Sequence, residues 1–356
     1  VGFEVGAPLQ SARMAALAPE FVGFAAGLAT SALWVAPSIA FTAGGRRLGP
    51  TAVNVIRLIA ATVLLAIIHR VWQGHWIPEM NAGQMWLLAL SGLVGLTIGD
   101  QALFTAFVAI GPRLAQLIMT TAPIFAATLG ALLLDERLGP WEIGGIAVTV
   151  LGVAWVVAER PRGGLPTLDR AVRRKGILLA FVGAFCQAAG LLLSKQGMGH
   201  GWLSEADYVA PQPATLTRIA FAAVFMAPIL WWRWRARRRR LAEDPALRAK
   251  APAVGLATPR MRRALIVGLT ATMSGSVAGP VLGVWMSLAA ADRRPTGVAQ
   301  TVCSLPPVFI LPVVIFIEGA APSTRAIAGA FVAVGGVVLL ALGPSVFGPA
   351  LAGWLS

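Results

Sequence analysis

The sequence predicts an all-α integral membrane protein, with ten transmembrane helices arranged as two inverted five-helix repeats. Three observations support this fold class: an apolar composition, ten apolar segments of membrane-spanning length, and an internal duplication. Of the 356 residues, 57% are hydrophobic and 12% are charged, and the mean hydropathy is +0.75. So few charges cannot cover a water-soluble surface, and lipid is therefore the expected solvent for most of the chain.

The apolar segments have the length that a membrane-spanning helix requires, which is about 20 residues. Backbone groups in lipid must satisfy their hydrogen bonds internally, and the alternating pattern of membrane β-strands is missing from the sequence. We therefore expect helices in these segments. The predicted helices are 21–42, 51–72, 85–108, 112–134, 140–158, 176–197, 213–232, 264–288, 297–317 and 323–343.

One sequence pattern occurs twice along the chain. The run AQLIMTTAP in the first half matches AQTVCSLPP in the second, and NVIRL matches TLTRI further upstream. A duplication of about 150 residues in a very apolar chain is typical of secondary transporters built from two repeats. The matching polar pairs are Arg57 with Arg218, Gln116 with Gln300, and Glu136 with Glu318.

The duplication divides the chain into two repeats joined by a linker. The second repeat includes a basic loop, 233–263, with eleven Lys or Arg residues, which we interpret as a solvated topological anchor. Attraction of this loop to anionic lipid headgroups is compatible with that role. The predicted parts are an N-terminal extension (1–20), a first repeat (21–159), a linker (160–175), a second repeat (176–343) and a C-terminal tail (344–356).

Five helices in each repeat require that the second repeat is inverted relative to the first. The loops after odd-numbered helices then hold 21 of the 29 basic residues, and the opposite side holds 6. The positive-inside rule places the basic loop 233–263 in the cytoplasm and both termini outside. Because the net charge of +14 is concentrated in loops, it does not predict a nucleic-acid partner.

On these residues the chain resembles the EamA-like family of the drug/metabolite transporter superfamily. The resemblance covers roughly 21–343 and is most specific in AQLIMTTAPIFAATLGALLLDERLGPWEIGGIAVTVLGV. It implies ten helices in two inverted repeats and a central cavity lined by helices one, three, four, six, eight and nine. The long basic loop departs from the family pattern. Family members commonly have cytoplasmic termini, opposite to the charge count, and both orientations stay open.

Polar and aromatic residues within the cavity-lining helices are the candidate substrate-binding residues. Asp100 is the acidic residue that falls well inside an apolar segment, where a charged carboxylate costs several kcal/mol and marks a substrate or proton path. We predict a binding and coupling role for Asp100, with a carboxylate held by a neighbouring arginine as the alternative. In the second copy Asp100 aligns with Pro280. The candidates are Trp34, Asp100, Gln101, Gln116, Thr120, Gln187, Trp285 and Gln300.

Four further charged residues are predicted to be structural: Arg57, Arg218, Glu136 and Glu318. Both arginines lie one to two turns inside their helices, where they can snorkel to the interface or pair with a helix end. Their presence in both copies favours a duty shared by both repeats. Recognition of a substrate carboxylate by the arginines is the alternative.

The expected function is secondary active transport of small organic solutes, as an exporter of amino acids or related metabolites. A multidrug efflux carrier of the same fold is the main alternative. An ATP-driven pump is not predicted, because the sequence has no GxxxxGK[ST] loop. An enzyme is not predicted either, because the histidines are scattered and no segment holds paired carboxylates. We expect a bacterial inner (plasma) membrane location, a small-molecule substrate, and neither cofactor nor metal; the oligomeric state stays open.

Overall fold

The computed structural model is mostly helical in the parts of the chain that it describes. These parts are residues 21–158, 169–203, 207–243, 259–306, 308–309 and 324–342. They contain no β-strand, and seven of their helices are long and apolar enough to cross a membrane. The predicted N-terminal extension, the C-terminal tail and Glu318 lie outside the described residues.

The first half of the chain forms helices whose starts are fixed by proline and glycine. Pro50 and Pro112 occupy first helical turns, where the missing N–H leaves no bond unmade. Gly49 and Gly111 precede them with φ of 87° and 82°, a conformation that favours glycine. The helices are α1 (Phe21–Leu48, with a turn at Trp34), α2 (Pro50–Gln73), α3 (Ala82–Ile110), α4 (Pro112–Met119), α5 (Ala122–Leu133) and α6 (Pro140–Ala158).

The second half contributes five more helical elements within the described residues. The predicted ninth segment, 297–317, is described in its first part only, and the helix there ends at Cys303. The elements are α7 (Arg170–Gly197), α8 (Pro211–Glu243), α9 (Pro259–Ser276, Val277–Gly283 and Val284–Arg293 in succession), α10 (Thr296–Cys303) and α11 (Thr324–Leu342).

The described parts of the predicted basic loop, 233–243 and 259–263, are helical, which corrects their assignment as a loop. Helix α8 continues to Glu243, and α9 begins at Pro259; the residues between them lie outside the described parts. Arginine, alanine and leucine are strong helix formers, so the basic run prolongs the helix. Arginines also stack over tryptophans one turn earlier, with the Arg235 and Arg238 guanidinium carbons 4.4 and 4.1 Å from the ring centroids of Trp231 and Trp234.

Helix interruptions occur at equivalent places in the two copies. The eight-residue helices α4 and α10 cover the same positions of the duplicated run and are followed by the capping residues Thr120 and Ser304. Upstream, α3 contains a π-helical stretch at Gly92–Gly99 and α9 contains one at Val277–Gly283. Short and unwound helices at corresponding places typically mark a transporter's binding region. The interruptions therefore point to the space that they enclose.

These landmarks correct the predicted alignment of Asp100 with Pro280. Asp100 is the first residue after the π-helical stretch of α3, and Val284 is the first after that of α9. Pro280 lies inside its own stretch, four residues earlier. Val284 is therefore the counterpart of Asp100 in the second copy.

The last helix of each half packs against the other at very short range. A Cβ atom on Gly152 would lie 2.3 Å from the Ala333 backbone nitrogen, and one on Gly336 would lie 2.5 Å from that of Thr149. Glycines let two backbones approach where van der Waals contact, and not a hydrophobic driving force, holds helices together in lipid. The remaining long helices pair across the two halves: α1 with α9, α2 with α8, and α3 with α7.

Helix α2 is apolar on both its inner and its outer face. Leu58 and Leu65 are fully buried against other helices, whereas Ile59 and Val63 are each 53% exposed. A helix that is hydrophobic all round is a core helix or a membrane span. The exposed apolar face of α2 therefore faces lipid.

Candidate functional site

A cavity of about 140 Å³ lies between the interrupted helices. An engineered apolar cavity of about 150 Å³ holds a benzene molecule, so this space suits a small organic group. Six of the eight predicted binding residues line it: Trp34, Asp100, Gln116, Thr120, Gln187 and Gln300. The lining comes from α1, α3, α4, α7, α9 and α10. These helices correspond to the predicted segments one, three, four, six, eight and nine, because the fourth segment forms two helices, α4 and α5. Arg218 of α8 also lines the cavity.

Gln101 and Trp285 do not line the cavity, so the structure does not bring these two predicted residues together with the other six. Each follows directly on a lining residue, Asp100 or Val284, and successive residues of a helix point about 100° apart. The Gln101 amide instead donates to Thr105 Oγ1 at 3.2 Å. The Trp285 ring lies edge-on to the Trp72 ring, with centroids 5.3 Å apart.

Asp100 is held by two donors from different halves of the chain. Arg57 of α2 forms a buried ion pair with Asp100 Oδ2, and Gln187 of α7 donates to Oδ1 at 2.5 Å. Arg57 also donates to Asn54 Oδ1 at 2.9 Å, and its guanidinium carbon lies 4.9 Å from the Phe104 ring centroid. Both Asp100 oxygens are thus occupied, and the carboxylate and its partners are a prearranged polar cluster beside the cavity.

Arg218 reaches the same cavity from α8. It is 3% exposed, and its guanidinium hydrogen-bonds to none of the described residues; Nε in particular is buried without a partner. Gly95 in the π-helical stretch leaves room for this group, because a Cβ there would lie 3.0 Å from Arg218 Nη2. Sequence reasoning treated Arg218 as structural because it matches Arg57. The sequence shows that Asp100 has no acidic counterpart, but what this leaves for Arg218 depends on the packing of α8 against α3, which the sequence does not give.

The interrupted helices present matching amides to the cavity. Gln116 and Gln300 both line it, and neither side chain forms a hydrogen bond within the described part of the chain. The hydroxyls at the helix ends are occupied: Thr120 donates to the Leu117 carbonyl and Ser304 to the Gln300 carbonyl, each at 2.7 Å. The two amides are therefore available to a ligand from opposite copies.

A second polar cluster, which we name the Glu136 cluster, ties both halves together at one end of the bundle. Lys195 near the end of α7 donates to Glu136 Oε1 at 2.6 Å and to the Arg294 carbonyl at 2.9 Å. The Thr296 backbone N–H and hydroxyl at the start of α10 also donate to the Glu136 carboxylate, at 2.7 and 2.8 Å. Gly130 leaves room for that carboxylate, because a Cβ there would lie 2.3 Å from Oε2.

Two further side chains converge on Asp292 at the last turn of α9. His200 Nε2 lies 2.8 Å from Asp292 Oδ1, and the Tyr208 hydroxyl donates to Oδ2 at 3.1 Å. Burial and the adjacent Asp292 charge raise the pKa of Tyr208 to about 12, because both disfavour the phenolate. These contacts join the loop after α7 to the end of α9.

Comparison with known proteins agrees with this geometry. Residues 21–158 match the EamA-like transporter family. The family resemblance is thereby confirmed over these residues, which carry α1 to α6. Together with the apolar helices, this match identifies an integral membrane protein.

Two individual proteins are also similar to part or most of this chain. One is a probable amino-acid metabolite efflux pump from Salmonella typhimurium strain LT2, 27% identical over 117 residues. That alignment spans a third of each protein, 33% of this chain and 33% of the relative. The other is a solved structure described as "Crystal structure of protein", with a TM-score of 0.62 over 91% of this chain and 96% of that one. At 18% identity it shows the same fold only.

Proposed function

We propose that the protein is a secondary carrier that exports small organic solutes, namely amino acids or related metabolites, across a bacterial inner membrane. It is a carrier and not an enzyme, and it works by alternating access around the cavity between two inverted repeats. The observation that carries this proposal is the matched pair Gln116 and Gln300, presented to one cavity by equivalent broken helices. A site shared by two repeats can be closed from either side by one repeat moving against the other.

The pairing of helices supports the inverted repeat. Under the duplication α1 corresponds to α7 and α3 corresponds to α9, so the observed pair α1–α9 has α7–α3 as its mirror. Exchanging the two halves leaves the pairs α2–α8 and α6–α11 unchanged, because α2 corresponds to α8 and α6 to α11. A two-fold axis relating the halves accounts for all four pairings. Ten transmembrane helices follow if α4 with α5, and α10 with the residues after it, each cross the membrane once.

The Glu136 cluster supports a closed state at one end of the cavity. Its contacts bring together the ends of α5, α7 and α9 and the start of α10. Gln300 lies four residues further along α10, which is about 6 Å deeper at 1.5 Å per residue. We assign the cluster as the gate at that end, and its opening would separate the two halves there. Glu136 thus has a structural duty, as does the Arg57 ion pair.

The positions of the basic residues support one orientation in the membrane, in which the end of the bundle opposite to the Glu136 cluster faces the cytoplasm. Arg170, Arg173 and Arg174 begin α7, and the run 235–240 ends α8, all at the end remote from Glu136. The positive-inside rule puts this end in the cytoplasm. In that orientation the Glu136 cluster is the outer gate, and the arginines of α8 meet the anionic headgroups of the inner leaflet.

Solute exchange and proton coupling are two distinct ways to drive this carrier. Proton coupling would act through Asp100, whose protonation would release Arg57 and Gln187 from the carboxylate. Vesicles that contain the wild type or Asp100→Asn separate the two under an imposed pH gradient. Uptake driven by the gradient in the wild type alone supports coupling, and equal uptake in both excludes it.

The proposal is tested with purified protein in liposomes and a panel of labelled amino acids, their derivatives and cationic dyes. We expect saturable efflux of an amino-acid-sized solute that empty liposomes do not show. A broad profile dominated by large cationic dyes would instead identify a multidrug efflux carrier. Efflux of no member of the panel would contradict the proposal.

A further inference from the structure

Arg218 lacks the partner that its counterpart Arg57 possesses. In the first copy the arginine of α2 is neutralised by Asp100, but the residue equivalent to Asp100 in the second copy is the apolar Val284. Arg218 is 3% exposed, lines the cavity, and has a buried Nε without a hydrogen-bond partner. The second copy thus has the arginine without a carboxylate at the equivalent position.

The buried charges at the cavity do not balance. Arg57, Arg218 and Asp100 are all at most 3% exposed, which gives two cations and one anion, because arginine stays protonated in proteins. Both oxygens of Asp100 already accept hydrogen bonds, from Arg57 and Gln187. Protonation of Asp100 would only enlarge the positive excess. A buried charge without compensation is strongly unfavourable, so a ligand that brings one negative charge is favoured.

We propose that the transported solute is a small organic monoanion whose carboxylate pairs with Arg218. This inference rests on the proposed function and narrows its substrate class. The guanidinium presents parallel N–H donors that match a carboxylate in a bidentate pair, which is the strong form of this interaction. The cavity of about 140 Å³ has room for a small organic acid.

The same lining favours a monoanion over a zwitterionic amino acid. Asp100 is the one acidic residue among the lining residues that the structure describes, and its charge is already paired with Arg57. The amide oxygens of Gln116 and Gln300 can accept a hydrogen bond from a hydroxyl or an ammonium group, but they cannot neutralise a positive charge. A bound zwitterion therefore leaves the cavity with its excess charge, and a monoanion cancels it.

Three solutes with the same number of heavy atoms test this inference: 2-hydroxy-4-methylpentanoate, leucine and leucinamide. At pH 7 they carry net charges of about −1, 0 and mostly +1, respectively, because a carboxyl group is ionised and an aliphatic amine is largely protonated. Binding to the purified protein in lipid nanodiscs is measured by calorimetry, and transport is measured in liposomes. We expect the hydroxy acid to bind most tightly, leucine less tightly and leucinamide least tightly. The dissociation constants of the first two should differ by at least roughly tenfold.

Variants then assign the preference to Arg218. Arg218→Gln should remove the preference for the hydroxy acid, whereas Arg218→Lys should keep the charge order with lower affinity, because the ammonium lacks the guanidinium fork. Arg238→Gln makes the same charge change on an exposed residue of α8 and should leave the order unchanged. The wild-type comparison needs no variant, so it stands even if Arg218→Gln fails to fold.

The outcomes separate this inference from the proposed function. Transport of leucine with equal or higher affinity than the hydroxy acid, or an anion preference that survives in Arg218→Gln, overturns the inference and leaves the carrier intact. Transport of none of the three solutes by the wild type contradicts the carrier function itself for amino-acid-like solutes.

Discussion

Gln187 donates a hydrogen bond of 2.5 Å to Asp100 and so joins α7 of the second half to α3 of the first. Arg57 holds the other oxygen of the same carboxylate. One buried acid thereby connects the two halves beside the cavity. Any movement of one half against the other must keep, stretch or break this link, which makes Asp100 central to both stability and transport.

Asp100→Asn should destabilise the protein markedly. The substitution leaves Arg57 buried without its anion, and breaking a buried ion pair costs about 3–5 kcal/mol. Thermal unfolding in detergent, followed by tryptophan fluorescence, measures the change. Glu79→Gln makes the same chemical change at an exposed position and should leave the melting temperature unchanged. Equal melting temperatures of Asp100→Asn and the wild type would show that the ion pair does not stabilise the fold.

Gly152→Ala should weaken the contact between α6 and α11. The added Cβ would lie 2.3 Å from the Ala333 nitrogen, and relieving such overpacking costs about 1–3 kcal/mol. Gly335→Ala in α11 is the matched control, because its Cβ meets no atom within 4 Å. We expect a lower melting temperature for the first variant and an equal or higher one for the second. The reverse order would contradict the packing described for this pair.

Glu136→Gln should open the Glu136 cluster. The amide keeps the size of the side chain but loses the charge that holds Lys195 and Thr296. Cys303 lines the cavity and reports access to it, once Cys186→Ser has removed the other free thiol. A membrane-impermeant maleimide should label Cys303 about tenfold faster in the variant, as expected for the loss of charge-assisted hydrogen bonds. Glu79→Gln is the control, and equal labelling rates in all proteins would refute the gate.

Tyr208 should ionise at a higher pH than a free tyrosine. Its pKa is raised to about 12, so the neutral phenol is favoured in the folded state. The resulting stabilisation is complete below the unfolded pKa of about 10 and is lost as the pH rises towards the folded value. The chain has one tyrosine, so ultraviolet absorbance follows this group alone. Asp292→Asn should lower the pKa, and an unchanged titration would exclude the Asp292 contact.

The membrane fold could be predicted from the sequence because lipid constrains it so strongly. Apolar runs of spanning length and the repeated AQ motif marked the helices. The family resemblance implied the cavity, and Gln116 and Gln300 were among its predicted polar residues. The direction in which each side chain of a helix faces was harder to predict, because Gln101 and Trp285 are each one residue away from a lining position. Irregular helices were invisible as well, because nothing in the sequence marked the π-helical stretches of α3 and α9. The counterpart of Asp100 was placed four residues too early, although the spacing of 184 residues between Ala115 and Ala299 leads from Asp100 to Val284.

Long-range polar partners were the hardest part of the site to predict. Nothing in the local sequence links Lys195 to Glu136, or Gln187 to Asp100, because those contacts depend on how whole helices pack. Arg218 illustrates the same limit. Its match to Arg57 suggested an equal role, whereas the difference between Asp100 and Val284 gives the two arginines different surroundings.

Counterflow transport by Gln116→Leu and Gln300→Leu tests most directly the claim that one cavity is shared by both halves. The probes are labelled leucine and 2-hydroxy-4-methylpentanoate in liposomes, and Gln101→Leu is the matched control because Gln101 lies outside the cavity. Each cavity variant should lower transport of the preferred probe by about tenfold, the effect of losing one hydrogen bond, while the control transports like the wild type. Equal loss in all three variants, or loss on one side of the cavity only, would contradict the shared site.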